Sequence, residues 1–174
     1  MYTVGHAGLT LLILSIMMLP FGYDTGKIIL IVFAAGISSL PDIDLEWQKR
    51  GYPIHHRGPT HSILFALIVG ILLGGLLWYG YREMSWFVIG FIAGVFGIVS
   101  HLIGDSFTYM AFKPLSPFST KEIGFKLVSA NNRIANEGFG TVGTLAFLYY
   151  ILSGHGSINT FFDAFRSLIE SFTA

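Results

Sequence analysis

Residues 62–81 read SILFALIVGILLGGLLWYGY, twenty positions without a charge. An α-helix rises about 1.5 Å per residue, so about 20 apolar residues cross the ~30 Å hydrocarbon core of a bilayer. The run therefore reads as a transmembrane helix and names the solvent for the rest of the chain. Four more apolar runs lie around it, at about Val4–Leu19, Lys27–Leu40, Trp86–Phe112 and Phe139–Ser153. The run from Trp86 is longer still. The other three are shorter and must borrow flanking residues, line a cavity, or enter without crossing. The expected fold is all-α: a polytopic membrane helical bundle of about five transmembrane helices.

The composition agrees. Of 174 residues, 53% are hydrophobic and 11% charged, and the mean hydropathy is +0.66. A soluble domain has about 25% charged residues; here too little polar surface remains to cover such a core in water. The formal net charge is zero, which argues against a nucleic-acid partner, since that needs a basic face. No cysteine is present, which excludes disulfides and thiolate metal sites. No Lys or Arg precedes Lys27, so the first run reads as a retained helix rather than a removed leader.

Within the bundle, Gly70/Gly74 and Gly90/Gly94 have the small-xxx-small spacing of closely packed membrane helices. Trp78, Tyr79, Tyr81 and Trp86 flank Arg82-Glu83 as an interfacial aromatic belt. Two domains are expected: residues 1–155, the membrane domain, and 156–174, a C-terminal amphipathic helix. In that tail Ile158, Phe161, Phe162, Phe165, Leu168, Ile169 and Phe172 recur at helical spacing between Asp163, Arg166 and Glu170.

The polar residues concentrate just before residue 62. His56-Arg57-Gly58-Pro59-Thr60-His61-Ser62 follows Pro41-Asp42-Ile43-Asp44, and His101 and Asp105 stand four apart in the fourth run. That spacing puts both side chains on one helix face. Imidazole nitrogens and carboxylate oxygens are the donors for zinc or a similar divalent ion, and ionisable groups inside a membrane usually face a cavity or a partner. Structural alternatives exist for each. His101 and Asp105 can form a hydrogen bond between helices, Asp42 and Asp44 can cap the loop, and Thr60 or Ser62 can cap the third helix.

If all five runs cross, alternate loops share a side. The loops 42–61 and 113–138 carry Lys49, Arg50, Arg57, Lys113, Lys121, Lys126 and Arg133, against Lys27, Arg82 and Arg166 opposite. The positive-inside rule puts the long loops and the N-terminus in the cytoplasm. The same topology brings His6, Asp42, Asp44, His61, His101, Asp105 and Glu137 to one level. The expected metal ligands are His6, Asp42, Asp44, His56, His61, His101 and Asp105, with His56 favoured over its neighbour His55. The ion is divalent, zinc by its donor set, one or two in number. It would lower the pKa of bound water toward ~7. Asp44 and Glu137 are the carboxylates for proton transfer, Glu137 being also a ligand or a charge favouring a helix N-terminus. Arg57 would clamp an anion or anchor the loop. The arrangement requires His61 within about 10 Å of His101 and Asp105.

Leu40-Pro41-Asp42-Ile43-Asp44, His56 to Ser62, and Ser100-His101-Leu102-Ile103-Gly104-Asp105, in that order, resemble the YdjM-like, LexA-regulated membrane-bound metal-dependent hydrolases. His6 and the Pro-rich stretch Pro114–Phe118 also match, and the resemblance covers most of residues 1–140. It implies an integral membrane protein with hydrolase character and a metal site on Asp42, Asp44, His56, His61, His101 and Asp105. Gly104 departs from the leucine frequent before the aspartate. The Lys-x6-Arg-Pro and Pro-Ser-Gly-His elements of type 2 phosphatidic acid phosphatases are absent. The expectation is a hydrolase of the inner (plasma) membrane, active at its cytoplasmic face on a phosphoester. Membrane lipids surround it, and a lipid or lipid-linked phosphate is its substrate class. The alternatives are a metal carrier, a structural bundle, or a protein whose 113–138 loop recruits a partner.

Overall fold

A computed structural model of the chain describes residues 1–53 and 56–154. His55 and the expected amphipathic helix of 156–174 lie outside the described residues. Among the described residues there are six α-helices: α1 (Thr3–Met18), α2 (Thr25–Ile37), α3 (Ile43–Lys49), α4 (Ile63–Tyr81), α5 (Met84–Ser106) and α6 (Arg133–Gly154). Four described spans are long and apolar enough to cross a membrane: Thr3–Phe21, Thr25–Lys49, Ile63–Tyr81 and Met84–Ser106. The protein is thus an all-helical membrane bundle. The fifth expected run lies in α6, which is long enough but opens on Arg133, Asn136 and Glu137. It runs beside α1 end to end: Asn136 Oδ1 accepts from Tyr2 N–H at one end, and Tyr150 O–H donates to Gly22 O at the other.

The helix pairs are set by glycine. Cβ atoms built at Gly90 and Gly94 would lie 2.8 and 2.7 Å from the Cα atoms of Gly74 and Gly70, so α4 and α5 meet backbone to backbone. Gly8 and Gly143 do the same for α1 and α6. A cluster of Leu14, Leu30, Ile31, Ala34, Ala93 and Tyr150 ties α1, α2, α5 and α6 together. At the α4–α5 turn, where the aromatic belt is expected, Arg82 lies over the Tyr79 ring at 4.6 Å, and Tyr81 stacks on Trp86 at 4.0 Å.

Three boundaries differ from the sequence reading. Helix α5 stops at Ser106, not Phe112, because Thr108 Oγ1 donates back to Asp105 O and turns the chain away. The loop 42–61 contains α3. Helix α6 starts before Phe139, where Asn132 Oδ1 accepts from Ala135 N–H as a cap. The loop after α5 is ordered by bridges Thr108–Val128 and Phe112–Ile123 and by Ile63 N–H donating to Pro114 O.

Candidate metal centre

The site lies at the end of the bundle where α1 and α4 begin and α2 and α5 end. Two turns aim its side chains. Pro41 opens the 3-10 turn Leu40–Asp42, which hands Asp42 and Asp44 inward as α3 starts. Pro59 opens the 3-10 turn Pro59–His61, which delivers His61 into the core before Ser62 caps α4 by accepting from Phe65 N–H. Neither Asp42 nor Thr60 caps a helix. Thr60 Oγ1 instead donates to Asp44 Oδ2 at 2.8 Å.

Three imidazole Nε2 atoms and two carboxylates converge. His61 Nε2 lies 3.2 Å from His101 Nε2, 3.5 Å from Asp105 Oδ2 and 3.7 Å from Asp42 Oδ1. His101 Nε2 is 3.6 Å from Asp105 Oδ2 and 3.7 Å from Asp42 Oδ1. His6 Nε2 is 3.5 Å from Asp105 Oδ1 and 3.9 Å from Asp42 Oδ2, with its ring stacked on that of His101. A tetrahedral ion with bonds of about 2.0–2.2 Å would hold its ligand atoms about 3.3–3.6 Å apart. The observed spacings bracket that range.

The surroundings point the Nε2 lone pairs inward. His101 Nδ1 lies 2.7 Å from Ser38 O, so it carries the proton and donates. His61 Nδ1 lies 3.2 Å from Asp44 Oδ2, and His56 Nδ1 2.8 Å from Asp44 Oδ1. Such outer partners fix the tautomer of a metal-ligating histidine. Asp44 receives four groups, counting Thr60 Oγ1 and the Arg57 N–H.

The fit to a cation shows in what is unsatisfied. Both ring nitrogens of His6 are buried without a hydrogen-bond partner, whereas Asp105 Oδ2 is paired with Arg57 Nη2 at 2.8 Å. Buried polar groups are otherwise almost always paired. Gly104 belongs to the same fit: a Cβ there would lie 3.2 Å from His6 Nδ1, so the departure from leucine makes room for the His6 ring. His61 carries the electrostatic signature. Burial opposes its protonation, but hydrogen bonds to Asp105, Asp42 and Asp44 outweigh burial and raise its pKa to about 10. A pocket with this carboxylate surplus draws positive charge. These clusters can hold a metal ion, either at the shared centre or, for a second ion, at Asp44, His56 and His61.

All seven expected ligands are brought together, and Arg57 lies beside them. Its guanidinium makes contacts within the chain: Nη1 donates to Met110 O, and Nη2 donates to Thr108 Oγ1 and lies 2.8 Å from Asp105 Oδ2. Its φ of 63° is strained for a non-glycine residue and is held by its N–H bond to Asp44. Glu137 is not brought to the site; it is exposed and paired with Arg133 Nε at 2.6 Å. The residue that faces inward is its neighbour Asn136, which holds Tyr2, while Met1 N lies 3.1 Å from Asp105 Oδ1.

Fold and site together define a membrane-embedded helical protein with a buried His/Asp centre at one end of its bundle. The chain belongs to the YdjM inner membrane protein family, whose model matches residues 1–160. It is accordingly a protein of the inner membrane. No curated protein and no solved structure matches it.

Proposed function

We propose that the protein is a metal-dependent hydrolase that cleaves a phosphoester at the cytoplasmic membrane face. The observation that carries this is the crowding of three imidazoles and two carboxylates into two overlapping groups that share His101, all buried except Asp42, whose side chain is 21% exposed. His6, His61, His101, Asp105 and Asp42 would hold one zinc or similar ion. A single ion is favoured because Asp44, needed for a second, is already saturated by four partners. The ion would supply Lewis acidity and a water of lowered pKa.

The remaining chemistry belongs to the chain. A cleft of about 550 Å³ reaches the site past Asp42, His56, Arg57 and Asn131. His56 Nδ1 is held by Asp44, which leaves Nε2 to exchange a proton with the attacking water or the leaving oxygen. Arg57 and Thr108 hold the roof. The alternative is a metal carrier, which should spread polar groups through the membrane depth; here they crowd one end. Metal analysis of purified wild type beside His61→Ala and Asp105→Ala, followed by a phosphoester and ester panel, tests the reading. Equal metal in all three rejects the centre. Metal-loaded wild type that cleaves nothing rejects the hydrolase and favours the carrier.

A further inference from the structure

We propose that the groove between the start of α1 and the α2–α3 junction holds a long apolar chain of the substrate, admitted sideways from the bilayer. The inference rests on the hydrolase reading for the fate of the head group. The groove encloses about 820 Å³ and is lined by Val4 of α1, by Gly36, Ile37 and Leu40 of the α2 end, by Ile43, and also by the charged pair Glu46 and Lys49. Both walls belong to spans apolar enough to cross the membrane, and Glu46 and Lys49 give the groove a polar side. Its floor includes Asp42, which also lines the polar cleft beside His56 and Arg57. Asp42 is therefore the one member of the central group shared by an apolar channel and a polar one. A molecule with a chain and a charged head fits that junction; a wholly soluble one leaves the groove without purpose.

Gly36 is the opening. A Cβ built there meets nothing within 4 Å, so this position keeps the groove free and is not needed for helix contact. A second apolar cleft of about 470 Å³, lined by Leu12, Phe107 and Val142, touches none of the candidate ligands and so cannot present a head group to the centre.

The test uses the full chain in phosphatidylcholine nanodiscs, with hexadecyl phosphate carrying a mid-chain diazirine as probe. Irradiation is expected to label Val4 and the 36–43 stretch. Excess hexadecyl phosphate should abolish the labelling and ethyl phosphate should not. Gly36→Trp should cut it at least about tenfold, since each excluded methylene weakens binding several-fold. Gly75→Trp, also facing open space on α4, should leave it unchanged. Metal content equal to wild type, together with a smaller Gly36→Leu variant, separates blockage from misfolding. Labelling at Leu12 or Val142, labelling spread over the α4 face, or labelling indifferent to Gly36→Trp overturns the groove. Cleavage is measured in parallel. Groove labelling with no ester cleaved sinks the hydrolase and spares the groove; cleavage of ethyl phosphate without groove labelling does the reverse.

Discussion

At the residue scale, the site divides into groups that would touch an ion and groups that aim them, and the two should fail differently. His61→Ala and His101→Ala remove Nε2 donors and should abolish stoichiometric metal in the purified protein. Asp44→Asn keeps the shape but loses the charge that orients His56 and His61, so metal affinity should fall by about 10–100-fold rather than vanish. Titration calorimetry distinguishes the two. His61 also predicts a pH effect in the metal-free protein. Its folded pKa is raised to about 10 from 6.5. Its contribution to stability is thus complete below about 6.5 and is lost as pH rises through 10. Thermal midpoints of the metal-free protein should decline over that window. Metal uptake near neutral pH should release protons, which an indicator dye in weak buffer would record.

At the element scale, the controlling feature is contact between glycine faces. Gly94→Leu would drive a side chain into the Gly70 backbone, and backbone cannot step aside; a loss of about 1–3 kcal/mol or more is expected. Gly75→Leu, one position beyond Gly74 but facing open space, should be neutral within about 0.5 kcal/mol. Thermal unfolding in detergent compares them. This level was largely legible in the sequence. The Gly70/Gly74 and Gly90/Gly94 spacings name the contact, and His101 and Asp105 sit one helical turn apart whatever else the helix does. What was not legible depended on phase and backbone. Glu137 was expected at the site, but α6 starts earlier than its apolar run and turns Asn136 inward instead; adjacent residues on a helix differ by about 100°. The partner of His101 is the carbonyl of Ser38, and a carbonyl leaves no trace in a residue pattern. The strap from Arg57 to Thr108 and Met110 required knowing that α5 stops at Ser106.

At the scale of the whole molecule, the bundle is polarised: the charged centre occupies one end and the aromatic belt the other. Reporter fusions after Lys49 and after Arg82 should therefore report opposite sides of the membrane, with the Lys49 side cytoplasmic. Agreement between them would mean that Ile63–Tyr81 does not cross. A chelator should lower the thermal midpoint of the metal-loaded protein, and returned zinc should restore it by mass action.

The centre draws its donors from His6 at one extreme and Asp105 at the other, and that has a consequence for biosynthesis. Translation at roughly 5–20 residues per second leaves the first imidazole waiting about 5–20 s for the last carboxylate. During that interval the nascent chain holds unneutralised polar groups near the lipid. Capture of an ion at this centre would have to follow insertion of the fifth helix. A product released early, ending at the α4–α5 turn, would retain half a pocket, and quality-control proteases of the membrane should clear it.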